Sequence, residues 1–110
     1  MDSVFKGAIG TGIIQARFQS DTANADPDIL VIAYAPIGGG SSRMDRAVSD
    51  PGGTALVSVE GPSDGVLEVW VAIGTPSDKG RLSVSRDGEV EDEDDVRGSV
   101  RWVYSVHAGG

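Results

Sequence analysis

The sequence predicts an all-β fold, an antiparallel two-sheet β-sandwich of about seven strands. Three observations carry that prediction. Glycine supplies 16 of 110 residues and falls between apolar runs, as in a chain of short strands and tight turns. Six segments read as strands with period two, about half of them with a single apolar face. No stretch longer than a single turn has helical periodicity. A strand with one apolar face must bury that face against another layer, which favours a sandwich; a small closed barrel is the second solution.

The elements follow in order. An N-terminal strand is expected near Val4–Ile9. Ile14, Ala16 and Phe18 share one face of the next strand, with Gln15, Arg17 and Gln19 on the other. Leu30, Ile32 and Tyr34 alternate with Val31, Ala33 and Ala35, so this strand is apolar on both sides and belongs inside a sheet. Gly38-Gly39-Gly40-Ser41-Ser42 has the composition of a linker, either an ordinary loop or an engineered junction. Segment 43–49 is expected to form one helical turn at most. Ala55, Val57 and Val59 mark a further strand, and Leu67, Val69, Val71 and Ile73 the one after it. Leu82 and Val84 mark another, and Val100, Trp102, Tyr104 and Val106 the last. Turn signals at 50–53, 61–65, 75–80 and 87–88 have hairpin length, which predicts antiparallel neighbours. The length fits one domain, residues 1–110.

The net charge is −8, from 17 acidic and 9 basic residues. Such a chain repels a phosphate backbone and an anionic bilayer, so neither nucleic acid nor membrane is an expected partner. Cysteine is absent, which excludes disulfides, thiolate metal sites and a cysteine nucleophile. The start, Met1-Asp2-Ser3-Val4-Phe5-Lys6, lacks the basic and apolar regions of a signal peptide. A cytoplasmic location is therefore expected for the sequence as given, and an exported one if a signal was removed.

Chemistry-bearing patterns are few. No serine sits in a Gly-x-Ser-x-Gly elbow, and His107 is the only histidine, on the polar face of the last strand. Gly7-Ala8-Ile9-Gly10-Thr11-Gly12 lacks the helix start that a phosphate cradle needs, and is expected to mark a bulge or tight bend. Glu89, Glu91, Asp92, Glu93, Asp94 and Asp95 crowd seven positions, expected as a solvated loop after Asp87-Gly88. If that loop holds a cation, the ion is calcium, with Asp92, Asp94 and Asp95 as ligands. Asp21, Asp26 and Asp28 form a second acidic group. Trp102 and Tyr104 read as core. Trp70, on a mixed face with Val66, Glu68 and Ala72, is the candidate binding aromatic.

These patterns favour a non-catalytic module for protein–protein contact, with self-association suggested by the strand apolar on both faces. Calcium-dependent binding of a carbohydrate or surface protein is one alternative. A small hydrolase built from carboxylates is another; it would need a pocket that sets Asp or Glu beside His107 or Trp70.

Overall fold

A computed structural model describes residues 2–22, 26–75 and 78–109. They form nine strands: β1 (Asp2–Gly10), β2 (Gly12–Ser20), β3 (Ile29–Pro36), β4 (Arg43–Val48), β5 (Thr54–Gly61), β6 (Gly65–Ala72), β7 (Lys79–Arg86), β8 (Glu89–Arg97) and β9 (Val100–His107). One sheet has five strands in the order β1-β9-β6-β3-β4; the other has four, β5-β2-β7-β8. The two face each other as a sandwich and do not close into a barrel. Among the described residues there is no helix.

The inner faces are the apolar sets that period two picks out. Leu30, Ile32, Leu67, Val69 and Trp102 come from the five-stranded sheet; Ile14, Phe18, Val57, Leu82 and Val84 come from the four-stranded one, and all are buried in one cluster. Tyr34 reaches the end of this core and donates from its hydroxyl to the Ser63 carbonyl at 2.6 Å, which keeps the buried oxygen bonded.

Four expectations need correcting. The strands number nine and not about seven. Segment 43–48 is a strand: it pairs antiparallel with β3 from Ile29↔Val48 to Tyr34↔Arg43, and this ladder overrides the local hint of a turn. The acidic run is β8, paired with β7 from Lys79↔Arg97 to Arg86↔Glu89, and not a loop tip. Finally, the pairing is not antiparallel throughout. β1 runs parallel to β9, from Asp2↔Val100 to Gly10↔His107.

The turns also do different work from that expected. Among the described residues only β3–β4 and β7–β8 are hairpins within a sheet, and Gly38–Ser42 is the loop of the first. The turns at 61–65 and 75–80 carry the chain from one sheet to the other. Pro76 and Ser77 of the second lie outside the described residues. Gly65 has room for no side chain there, since a Cβ would stand 2.5 Å from the Ala35 carbonyl oxygen and 2.7 Å from the Tyr34 ring.

The two flanks of the sandwich are closed differently. On one, β4 lies against β5: Asp45 Oδ2 accepts from the Ser58 N–H at 3.0 Å, and Arg43 pairs with Glu60 at 3.0 Å. On the other, β1 faces β8. Here β1 carries a bulge between Phe5 and Gly7, with Gly7 at φ 121°, a value that favours glycine. Lys6 is the extra residue, and its side chain turns into the gap between the sheets.

Candidate functional site

The outer face of the five-stranded sheet is an unusual surface. The registers place its side chains in rows across the strands. One row runs Phe5, Val103, Glu68, Ala33, Met44; the next runs Ser3, Arg101, Trp70, Val31, Arg46. A third joins Ala8, Ser105, Val66 and Ala35, and Ala72, Ile29 and Val48 form another. Phe5 is 67% exposed and Met44 68%, with Val48 and Val66 also exposed. An antiparallel sheet with one solvated face ordinarily alternates apolar in and polar out. This one is apolar on both faces around β3.

The outer face of the four-stranded sheet is polar over its middle rows, with Ile13, Leu56 and Val90 exposed around them. Its rows include Leu56, Arg17, Ser83, Glu93 and, beside them, Thr54, Gln19, Arg81, Asp95. Arg81 donates to Glu93 at 2.8 Å and to Asp95 at 2.9 Å, and these two hydrogen bonds push its guanidinium further above its already high range. Such exposed pairs add little to stability, and they keep this face hydrated.

Trp70 stands on the central strand of the apolar face, half-buried. The Arg101 guanidinium lies 5.9 Å from its ring centroid, near the outer limit for a cation–π contact. Arg101 also faces Glu68 at 3.9 Å, a loose pair with both side chains about a third exposed. Among the described residues the shielded Trp70 Nε1–H finds no hydrogen-bond partner, which costs about 1–3 kcal/mol. Beside this strand a groove of about 350 Å³ is lined by Ala33, Ala35, Met44, Val66, Glu68 and Arg43, with Tyr34 and Ser42.

The acidic residues are dispersed. Strand alternation sends Asp92 and Asp94, opposite the buried Val84 and Leu82, to the inner side of β8 and Asp95 to the outer side. Asp95 is held by Arg81. Asp92 Oδ2 accepts from the Tyr104 hydroxyl at 2.9 Å and lies 3.4 Å from Lys6 Nζ. The three expected ligands therefore do not converge on one point, and among the described residues no group of three carboxylate or imidazole side chains is arranged to hold a metal. In the second acidic group, Asp21 and Asp26 are exposed, while Asp28 is buried and accepts from the Gly74 N–H at 2.9 Å.

What sequence reasoning missed is the cluster that Asp92 belongs to. Lys6 Nζ sits 4.2 Å from the centroid of the buried Trp102 ring, so the ammonium is shared between an indole face and a carboxylate. Tyr104 is buried, and burial together with the neighbouring Asp92 carboxylate pushes its phenol far above the usual range. Gly7, directly after Lys6, was the one legible sign of the bulge that turns Lys6 inward. The cluster bridges the two sheets across their open flank, and its groups are mutually satisfied.

His107 lies on the rim of a cleft of about 340 Å³ with Ala8, Ile9, Gly10, Arg86 and Glu91. A carboxylate and the histidine do share that lining, as the hydrolase alternative requires. However, Glu91 accepts from Arg86 Nε at 2.9 Å, and His107 Nε2 pairs with Ser105 Oγ at 3.0 Å on an exposed strand end. Among the described residues no carboxylate bonds Nδ1 of His107 to orient the ring as a catalytic base needs. The chain matches no family model, no curated protein and no solved structure.

Proposed function

We propose that this chain is a non-catalytic binding and assembly module that docks a folded protein on the outer face of its five-stranded sheet. The observation that carries the reading is the apolar field across β1, β9, β6, β3 and β4, with Phe5 and Met44 exposed and Trp70 at its centre. Leaving such a field in water is unfavourable by about 25 cal/mol per Å² of apolar surface. A partner that covers it recovers that free energy. Tryptophan and arginine are among the residue types enriched at the energetic centres of protein interfaces. The shielded, unbonded Nε1–H of Trp70 adds to the argument, because a rearranged face with an acceptor beside the indole would satisfy it.

The test uses a photo-cross-linking side chain at position 31, on this face, and at position 17, on the opposite one. Protein adducts are expected from position 31 alone, in a purified sample or in an extract of the source cells. Adducts from both positions in equal yield, or from neither, overturn the reading.

A further inference from the structure

We propose that the occupant of this face is a second copy of the same chain, packed sheet against sheet about a two-fold axis. This rests on the docking reading above and names its partner. Two independent features of the face support it, charge and size.

Two molecules of charge −8 repel each other wherever their carboxylates meet. The acidic run lies on β8, at the edge of the other sheet. On the outer face of the five-stranded sheet the described strands present one carboxylate, Glu68, and two cations, Arg46 and Arg101. With a single carboxylate, this face brings fewer of them together than the four-stranded sheet's outer face, where Glu60, Glu93 and Asp95 lie. It also carries both halves of an intermolecular ion pair, since Glu68 and Arg101 sit side by side near its centre, 3.9 Å apart. Under a two-fold axis each copy's Glu68 can face an arginine of the other.

Five strands of about eight residues, spaced about 4.8 Å and rising about 3.3 Å per residue, span roughly 600 Å² in projection. Corrugation by Phe5, Met44, Trp70 and Val66 raises the accessible area, to the order of the roughly 800 Å² per partner that a standard stable interface buries. The ordinary spacing of packed sheets, about 10 Å, then lets the exposed side chains interdigitate and fill the groove beside Met44. A closed two-fold pair uses the face up completely, so the assembly ends at the dimer.

The experiment is sedimentation velocity on the full chain from micromolar to hundreds of micromolar, with circular dichroism to check the fold. The wild type is expected to pass from monomer to dimer over that range. E68R places only cations among the charged side chains of the face, and R101E leaves it predominantly acidic. Each variant alone is expected to dimerise at least about tenfold more weakly, a loss of about 1.4 kcal/mol. Mixed in equal amounts they are expected to form a heterodimer more tightly than either forms a homodimer, which an ion pair within one chain cannot produce. A strict monomer at hundreds of micromolar overturns the second copy as occupant. So does a dimer that both variants leave unchanged. If position 31 then cross-links a different protein, the docking face stands and only its occupant is wrong. If it cross-links nothing, both readings fail.

Discussion

The two sheets are alike on the inside and opposite on the outside. Each buries a set of Val, Leu, Ile and aromatic side chains against the other. At its middle the four-stranded sheet shows water Arg17, Gln19, Ser83 and Glu93, with Ile13, Leu56 and Val90 around them, whereas the five-stranded sheet is apolar at its middle, with Val31, Val103 and Trp70 beside Glu68 and Arg101. Inner faces are dictated by folding, and both sheets satisfy the same demand. An outer face is free to be polar, so the apolar middle of the five-stranded sheet's outer face is not required by the packing of the core.

The largest effects belong to what the two sheets share. Leu67→Ala and Leu82→Ala each empty a fully buried site, one per sheet. Each is expected to cost about 2–5 kcal/mol in urea unfolding. A much smaller cost in one sheet would mean that the inner faces are not equivalent and would undo the comparison.

Next comes the bridge that joins the sheets on their open flank. Tyr104→Phe leaves Asp92 with Lys6 alone and is expected to cost about 1.5–3 kcal/mol, the range for a hydrogen bond to a charged group. The phenol is raised in the folded state from its ordinary value of 10.0, so the folded chain keeps a proton that the unfolded chain loses. Its contribution is whole below pH 10.0 and falls away as the pH rises above that. Alkaline unfolding curves should therefore show a decline that Tyr104→Phe flattens. A variant with the same alkaline slope as wild type would show that Tyr104 is not the group responsible.

Smaller still are changes confined to the outer faces. Val31→Lys and Ser83→Lys should each leave the stability of the isolated chain within about 0.5 kcal/mol. They should separate in association, with Val31→Lys blocking it and Ser83→Lys leaving it intact. Equal behaviour in light scattering would erase the distinction between the faces.

The smallest effect on stability is expected at β8. Glu89→Gln with Asp94→Asn removes two exposed charges from an edge strand and should change urea unfolding by no more than about 0.5 kcal/mol. Charged side chains on an edge oppose pairing with a strand of another molecule. The double variant should accordingly lose solubility in concentrated samples. Unchanged solubility would mean that β8 is protected by other means, such as its bulge opposite Val84–Ser85.

How far the sequence speaks depends on where a strand lies. β2, β3, β6 and β9 have neighbours on both sides, and their apolar residues are plain, alternating in β2 and β9 and continuous in β3. β8 is an edge strand whose only apolar residues are Val90 and Val96, so the run from Glu89 to Arg97 reads as a loop. β4 is short and almost wholly exposed, and its pattern is erased for the same reason. Trp70 stood out as a candidate because its face is mixed. That its neighbours are Val31 and Arg101 depends on a register between strands distant in sequence, which no local pattern records. The Lys6 cluster lay further out of sight, because a bulge of one residue decides which way the lysine points.

The parallel pairing of β1 with β9 has a mechanical consequence. The first strand starts beside the start of the last and ends beside its end, from Asp2↔Val100 to Gly10↔His107. Tension applied to the free end of β1 and the far end of β9 pulls the two strands in opposite directions along their length. The ladder between them is then loaded in shear, with its hydrogen bonds sharing the force instead of opening one after another. Strung in series with other domains, this sandwich would yield late, and the seam between its first and last strands would set the force at which it does.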